Sequence, residues 1–421
     1  TMRARVRVGA QRRRPTRARL SAVASAAVPV ASEFADRLDG MQNEGAYKVL
    51  AKATALESQG KNIVHLEIGQ PGFPTPPHIV DAGRAALAGG DTKYSNPTGV
   101  AGLREAIAAE VSATRGVEVS PEEVVVGPGA KPGLFFPALA LLNPGDEVIF
   151  PDPGFPTYAA MVQVAGAVAK PVRLRADGAS LDMDHFRSLL SPRTRLIVLN
   201  SPSNPTGGVM PASDLAEVAA AAKAIDGCWV LSDEIYSRLT YTAEGGAPSI
   251  YALEGMRERC ILVDGFSKTY CMTGWRLGWA VMPAALARKV ELLLVHSVGC
   301  TASFTQAAGV AALTGPQEAL AEMREAYRAR RDLVVGALNA MDGVACPTPA
   351  GAFYAFPDIS ALGLPSADVA DVLLTEGGVA LLPGTDFGRA GEGHIRISYV
   401  SDIPVLEEGL ERIERTLRKL R

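Results

Sequence analysis

The stretch VDGFSKTYCMTGWRLGW, residues 263–279, decides how this chain is read. It leaves a β-branched strand, CILVDG (260–265), and sets Lys268 among small and apolar residues with no acid beside it. An ammonium is poorly solvated in such surroundings, so its pKa falls and the neutral amine becomes a nucleophile. Arg276, eight residues on, is flanked by Gly274, Trp275 and Gly278, a setting that can fix a guanidinium for an anion. A surface lysine laying its stem along apolar neighbours is the plain alternative. The other strand exits decide between the two.

Outward from this stretch, short apolar runs alternate with Ala-rich segments of helical period. Strands are expected at EVVVG (123–127), DEVIF (146–150), RLIVLN (195–200), CWVLSD (228–233), CILVDG and GWAVM (278–282). Helices are expected at 77–88, 100–113, 131–142, 158–166, 212–224 and 284–296. Strands that are apolar along their length and separated by helices indicate an α/β fold, with a mostly parallel central sheet covered on both faces. Ahead of it a helical stretch over 32–59 ends at Gly60, and KNIVHLEIG (61–69) reads as a buried strand entering the turn QPGFPTPP. From about residue 315 the pattern changes to a long charged helix (318–341), short strands at 352–356, 378–382 and 394–400, and a last helix at 404–420. These make a second, smaller α+β domain. The expected division is a basic leader over 1–32, a segment at 33–60 joining the small domain, a large domain over 61–314 and a small domain over 315–421.

Composition removes several classes. At 421 residues, 48% hydrophobic and 21% charged, the chain matches a folded globular protein with a large core. No apolar run approaches the roughly 18 residues that cross a bilayer. Five scattered cysteines without a CxxC pair read as free thiols of a reducing compartment. Five histidines never fall at ligand spacing, so no metal is expected. Charge is uneven: residues 1–32 hold eight arginines and no acid, leaving 34 basic residues against 45 acidic ones, a net −11, on the remainder. An Arg- and Ser/Ala-rich, acid-free leader reads as a targeting peptide for a plastid or mitochondrion; without that role the protein is expected in the cytoplasm. Nucleic-acid binding by the arm is the weaker reading.

Three more strand exits carry chemistry, at the edge where α/β sheets bind ligands. In VVVGPGAKPGLFF (124–136) a Gly-rich turn opens a helix with Pro132 in its first turn, presenting backbone N–H groups suited to a phosphate. It matches neither a dinucleotide fingerprint nor a nucleotide P-loop, and alone it is also an ordinary loop. In NSPSNPTGG (200–208) Asn204 is either part of a rigid loop or aimed inward by a fixed turn, with a cis Asn–Pro bond as one way to do it. In WVLSDEIYSRL (229–239) Asp233 ends an apolar strand, where a carboxylate needs a cationic or protonated partner, unless it merely caps a helix. Tyr236 can reach the same spot.

Jointly these parts fit one cofactor, pyridoxal 5′-phosphate (PLP), which needs a lysine to carry it, a carboxylate for its pyridine nitrogen, and N–H groups with an arginine for its phosphate. The chain resembles the class I aminotransferases of PLP fold type I, the aspartate-aminotransferase-like family, in its bacterial-type branch. The resemblance runs from about residue 35 to the C-terminus. It rests on IGQPGF (68–73), TKYSNPTG (92–99), PGAK (128–131), NSPSNPTG (200–207), SDEIY (232–236), GFSKTYCMTGWRLG (265–278) and IRISY (395–399).

The resemblance implies a transaminase that moves the amino group of an L-amino acid, aspartate or alanine-like, to a 2-oxo acid by a ping-pong mechanism. It implies that Lys268 carries the cofactor and then shuttles the proton, that Asp233 pairs with the pyridine nitrogen, and that Tyr236 and Asn204 hydrogen-bond the phenolic oxygen. Gly129, Ala130 and Lys131 stand where backbone amides hold the phosphate, with Arg276 gripping it. Phe155, in PDPGFPTY, matches the residue stacked on the cofactor ring, usually a Trp or Tyr. Tyr94 matches a tyrosine lent to the neighbouring subunit, which implies a homodimer with shared sites. Arg396 matches the residue that holds the substrate α-carboxylate, and Gly69 closes over it; Lys131, Phe155 and Asn204 also face substrate.

Two departures matter. Gly265 stands where many relatives have a serine that binds phosphate. The bacterial-type aspartate enzymes read the distal carboxylate with a lysine at the position of Lys131, helped by small hydroxyl residues; here that stretch is NEGAYKVL (43–50), with Glu44 and Ala46. An acid facing the pocket disfavours a dicarboxylate, so alanine or another neutral amino acid competes with aspartate. The alternative activity is a PLP-dependent C–S β-lyase on the same fold. A regulator retaining an aminotransferase-like domain would need a DNA-binding domain, for which residues 1–32 are too short.

Overall fold

The computed structural model describes residues 34–41, 43–242 and 246–420. The leader expected over 1–32 lies outside them. A first strand, β1 (Val64–His65), is followed by seven that form one sheet: β2 (Val124–Gly127), β3 (Glu147–Asp152), β4 (Val168–Arg173), β5 (Thr194–Asn200), β6 (Trp229–Asp233), β7 (Cys260–Gly265) and β8 (Gly278–Val281). Their order is β2-β8-β7-β6-β5-β3-β4. All neighbours run parallel except β8, which is antiparallel to both β2 and β7. The sheet is mostly parallel, as the apolar runs require.

Alternate residues of these strands feed two cores, one on each face. Val126, Ile149, Ile197, Val230 and Leu262 join the core beneath the helices Pro77–Ala88, Ala101–Arg115, Ala212–Ala224 and Ser303–Thr314. Val125, Val148, Leu196, Leu231 and Val263 join the core beneath Lys131–Leu141, Thr157–Val164 and Ala284–Val295. Every residue of β7 is buried, which is what a strand covered on both faces demands.

The C-terminal part has its own core, built on the 23-residue helix Glu318–Ala340 with Ser366–Thr375 and Ile403–Leu417. Short strands complete it: β9 (Tyr354–Ala355), β10 (Val379–Ala380), β11 (Leu382–Pro383) and β12 (Ile395–Ser398), with β12 antiparallel to both β9 and β11. Within KNIVHLEIG only Val64–His65 is a strand, and it pairs in parallel with β10 rather than joining the seven-stranded sheet. The helix expected over 32–59 is shorter, Gly45–Glu57, after one 3-10 turn at Asp36–Leu38. Among the described residues no helix is long and apolar enough to cross a membrane.

Candidate active site

Three parallel strands end side by side and deliver the chemistry: Asn200 closes β5, Asp233 closes β6 and Gly265 closes β7. Asn200 and Asp233 are register partners. On the far side of β7, Gly265 faces Gly278, and Gly278 faces Gly127 of β2. This row of glycines has a steric purpose. A Cβ on Gly278 would sit 2.4 Å from the Ala130 nitrogen, so only glycine lets the Gly129–Ala130 turn lie on the strand ends.

That turn opens the helix Lys131–Leu141, whose first turn holds a proline and whose N-cap, Ala130, offers no side-chain hydrogen bond. Its exposed N–H groups and positive helix end suit a phosphate. Arg276 stands against it. Its guanidinium donates to the Thr273 carbonyl at 2.9 Å and the Pro128 carbonyl at 3.4 Å, and a Cβ on Gly129 would meet its Nη2 at 2.3 Å. Gly129 has φ +87° and Arg276 itself has φ 52°, the left-handed region that a non-glycine residue adopts at some cost. The backbone is bent here where a cation meets the turn that opens the helix.

Lys268 rises from the single helical turn Phe266–Thr269 and donates to the Gly69 carbonyl. Its Nζ lies 5.9 Å from the centre of the Tyr236 ring and 5.7 Å from that of Phe353. Burial lowers its pKa to about 8, and the nearby guanidiniums of Arg396 and Arg276 push the same way. Asp233, only 5% exposed, accepts from the Tyr158 hydroxyl at 2.7 Å and from the Ile235 amide at 3.3 Å. Burial raises its carboxyl to about 6 against those two donors. Neither donor is a cation, and the charge of Lys268 does not outweigh burial, so the carboxylate has use for a further cationic partner. A protonated pyridine nitrogen fits that need.

On the other side Arg396, in β12, is buried in the small domain's edge. It donates to the Asn204 side-chain oxygen at 3.0 Å and to the Glu67 carbonyl, and its guanidinium lies over the Tyr354 ring at 4.4 Å. Its Nε is buried without a partner. An orphaned donor on a buried guanidinium is costly, and a carboxylate would satisfy it. Asn204 is held by its own amide donating to the Asn200 side chain at 2.8 Å, and the Asn204–Pro205 bond is cis. Gly69 leaves room for Tyr354, whose hydroxyl would be 2.1 Å from a Cβ at that position. The donor set therefore fits PLP at one end and an amino-acid carboxylate at the other.

Lys268, Asp233, Tyr236, Asn204, Arg396 and Gly69 thus meet, with Gly129, Ala130, Lys131 and Arg276 adjoining. Phe155 packs edge-on against Tyr158 at 5.8 Å, beneath the Lys131 ammonium at 5.6 Å. Lys131 is ion-paired with Glu44, so the acid of the N-terminal segment does face the site. Tyr94 does not join them; it is 98% exposed. Two contributors escaped the sequence reading. Tyr158 lies three residues after Phe155 inside PDPGFPTY, and Tyr354, whose hydroxyl bonds that of Tyr236 at 2.8 Å, lies inside AFYAF. Among the described residues no group of histidines, cysteines and acids is placed to hold a metal, and all five cysteines are free.

Comparison with known proteins agrees with this geometry. The family model for aminotransferases of class I and II matches residues 61–413. An aspartate aminotransferase from Pyrococcus abyssi is 38% identical, covering 92% of this chain and 98% of its own. An arginine–pyruvate transaminase from Pseudomonas aeruginosa is 38% identical over 91% of this chain and 96% of its own. The solved alanine aminotransferase from Pyrococcus furiosus superposes with a TM-score of 0.86 at 30% identity, covering 92% of this chain and all of that one.

Proposed function

Because the chain belongs to the class I and II aminotransferases and is a PLP-dependent transaminase, we propose that its amino donor is a neutral, alanine-like L-amino acid rather than a dicarboxylate. One observation carries this choice, the Glu44–Lys131 ion pair. Lys131 is the cation that would read a distal carboxylate, and Glu44 already occupies it. A dicarboxylate would have to displace one acid and then sit beside its charge, whereas a small neutral side chain disturbs nothing.

Bound PLP supplies an electron sink for the negative charge that forms as the substrate Cα loses its proton. The protein does the rest. Arg396 clamps the α-carboxylate with a fixed fork of donors and so orients the Cα–H bond. Lys268, kept partly neutral near pH 8 by burial, is the base that takes the proton and the acid that returns it. Asp233 would pair with the pyridine nitrogen and keep it protonated, with Tyr158 fixing one of the carboxylate's oxygens. Tyr236 and Asn204 would hydrogen-bond the cofactor's phenolic oxygen. Repeating these motions in reverse with a 2-oxo acid closes the ping-pong cycle. Transfer is favoured over β-elimination because the relatives are named as transaminases of aspartate, arginine and alanine. The nearly full exposure of Tyr94 supports a homodimer in which that ring is covered by, and completes, the partner's site.

Glu44→Ser tests the substrate choice. An exposed ion pair is worth about 0.2–1 kcal/mol, and removing a like charge adds a similar amount, so kcat/KM for L-aspartate should rise roughly 10-fold. L-Alanine should change by less than about 2-fold, because its side chain reaches neither charge. Steady-state rates with both donors decide it. An unchanged aspartate rate would show that Glu44 does not set specificity.

A further inference from the structure

Behind the Lys268 turn lies a second buried cluster of charge that the steps above leave unused. It sits on the sheet face covered by Ala101–Arg115. Glu234, 2% exposed, accepts from Arg115 at 3.0 and 2.7 Å, from Ser232 at 2.9 Å and from Ser249 at 2.5 Å. Beside it Asp264, 7% exposed, accepts from the Ser237 hydroxyl at 2.9 Å and from the Gly265 amide at 2.6 Å. Arg115 supplies positive charge to both acids. Arg238, bonded to Glu110 at 3.2 Å and Tyr270 at 2.8 Å, closes the rim of a cavity of about 20 Å³ that Asp264 lines.

The cluster's connections are informative. Gly265 is three residues before Lys268 and begins its turn; Ser237 follows Tyr236; Glu234 follows Asp233. The turn carrying Lys268 is only four residues long and has weak ties of its own. The Phe266 amide reaches the Leu277 carbonyl at 3.3 Å, and the Tyr270 amide reaches the Phe266 carbonyl at 3.2 Å. Asp264 bonds both the Gly265 amide that begins this turn and the Ser237 hydroxyl beside Tyr236, so it ties the two segments together.

We propose that Asp264 is a positioning residue of the transamination site, fastening the backbone that delivers Lys268 to the turn that delivers Tyr236. Amine and phenol then keep their spacing while the proton moves. Displacing a reacting group by about 1 Å can cost on the order of 100-fold in rate, so such a tie matters without touching substrate or cofactor. Its placement is costly: burial pushes the Asp264 carboxyl up to about 7, opposed by the Gly265 amide, Arg115 and Ser237. Hydrophobic packing alone would favour an apolar residue there.

Holoenzymes carrying Asp264→Ala, Asp264→Asn or Ser237→Ala separate positioning from plain stability. Each is measured for PLP content, Tm, kcat and KM of the donor half-reaction, and the pH midpoint of the visible absorbance band. Asp264→Ala should keep its PLP, lose roughly 30- to 100-fold in kcat with KM within about 3-fold, and shift the pH midpoint. Asp264→Asn can still accept from Gly265 and donate to Ser237, so it should stay within about 5-fold of wild type. Ser237→Ala breaks one bond and should lose roughly 5- to 10-fold in kcat; it decides the matter if Asp264→Ala does not fold. A lowered Tm with unchanged kcat and midpoint, or an Asn variant as impaired as the Ala variant, would overturn the proposal.

Discussion

Lys268→Ala should give a folded protein that no longer holds PLP covalently and turns over every donor at least about 10⁴-fold more slowly. Two losses coincide in this one side chain. The covalent attachment disappears, because Lys268 is the amine whose pKa burial and two guanidiniums bring down to about 8. The proton carrier disappears with it, a contribution of about 10²–10⁴-fold by itself. No neighbour can substitute. Nζ bonds the Gly69 carbonyl and lies against the faces of the Tyr236 and Phe353 rings, with the guanidiniums of Arg396 and Arg276 nearby. Burial raises the Tyr236 hydroxyl well above its usual pKa, which keeps it a neutral phenol. Reduction with borohydride followed by peptide mass analysis reports the attachment, and stopped-flow absorbance reports the rate. A Lys268→Ala variant with wild-type turnover would remove Lys268 from the reaction.

Asp233→Ala should bind PLP nearly as well yet react roughly 10³-fold more slowly. The change leaves Arg276 and the Ala130–Lys131 turn, where the phosphate would be held, untouched. The pyridine end would lose the anion proposed to keep its nitrogen protonated. Tyr158 would remain, a buried neutral phenol whose pKa is itself pushed well up, and it cannot stabilise a cation as a carboxylate does. A PLP titration by fluorescence alongside the half-reaction rate checks both halves. Near-normal rates would show that the nitrogen is held by another group.

Much of this site is legible in the chain because its residues sit at strand exits with restricted chemistry. Asp233 ends an apolar strand, Asn204 lies in the loop after another and Lys268 three residues past a third, and it is the four exits taken together that point to one site. The central strands read clearly for the same reason, since β5, β6 and β7 are buried on both faces and apolar through their middles. β4 is hidden in the sequence because it is an edge strand: four of its six residues are exposed to solvent, and Pro171 breaks its pattern. The helix Ser303–Thr314 escapes because alanine, glycine and threonine give it little periodic contrast, although it packs tightly into the first core. Contacts across the chain are the harder class. Spacing cannot show that Tyr158 reaches Asp233 across 75 residues, that Glu44 takes Lys131 across 87, or that β1 pairs with β10. Those pairings follow from how the cores are set against each other.

The most direct test of the account is the visible spectrum of the holoenzyme, recorded before and after L-alanine and, separately, L-aspartate. The account predicts that L-alanine bleaches the yellow band to the pyridoxamine form, that pyruvate restores it, and that L-aspartate does so more slowly. A band that survives both donors while another amino acid releases pyruvate and a thiol would contradict it.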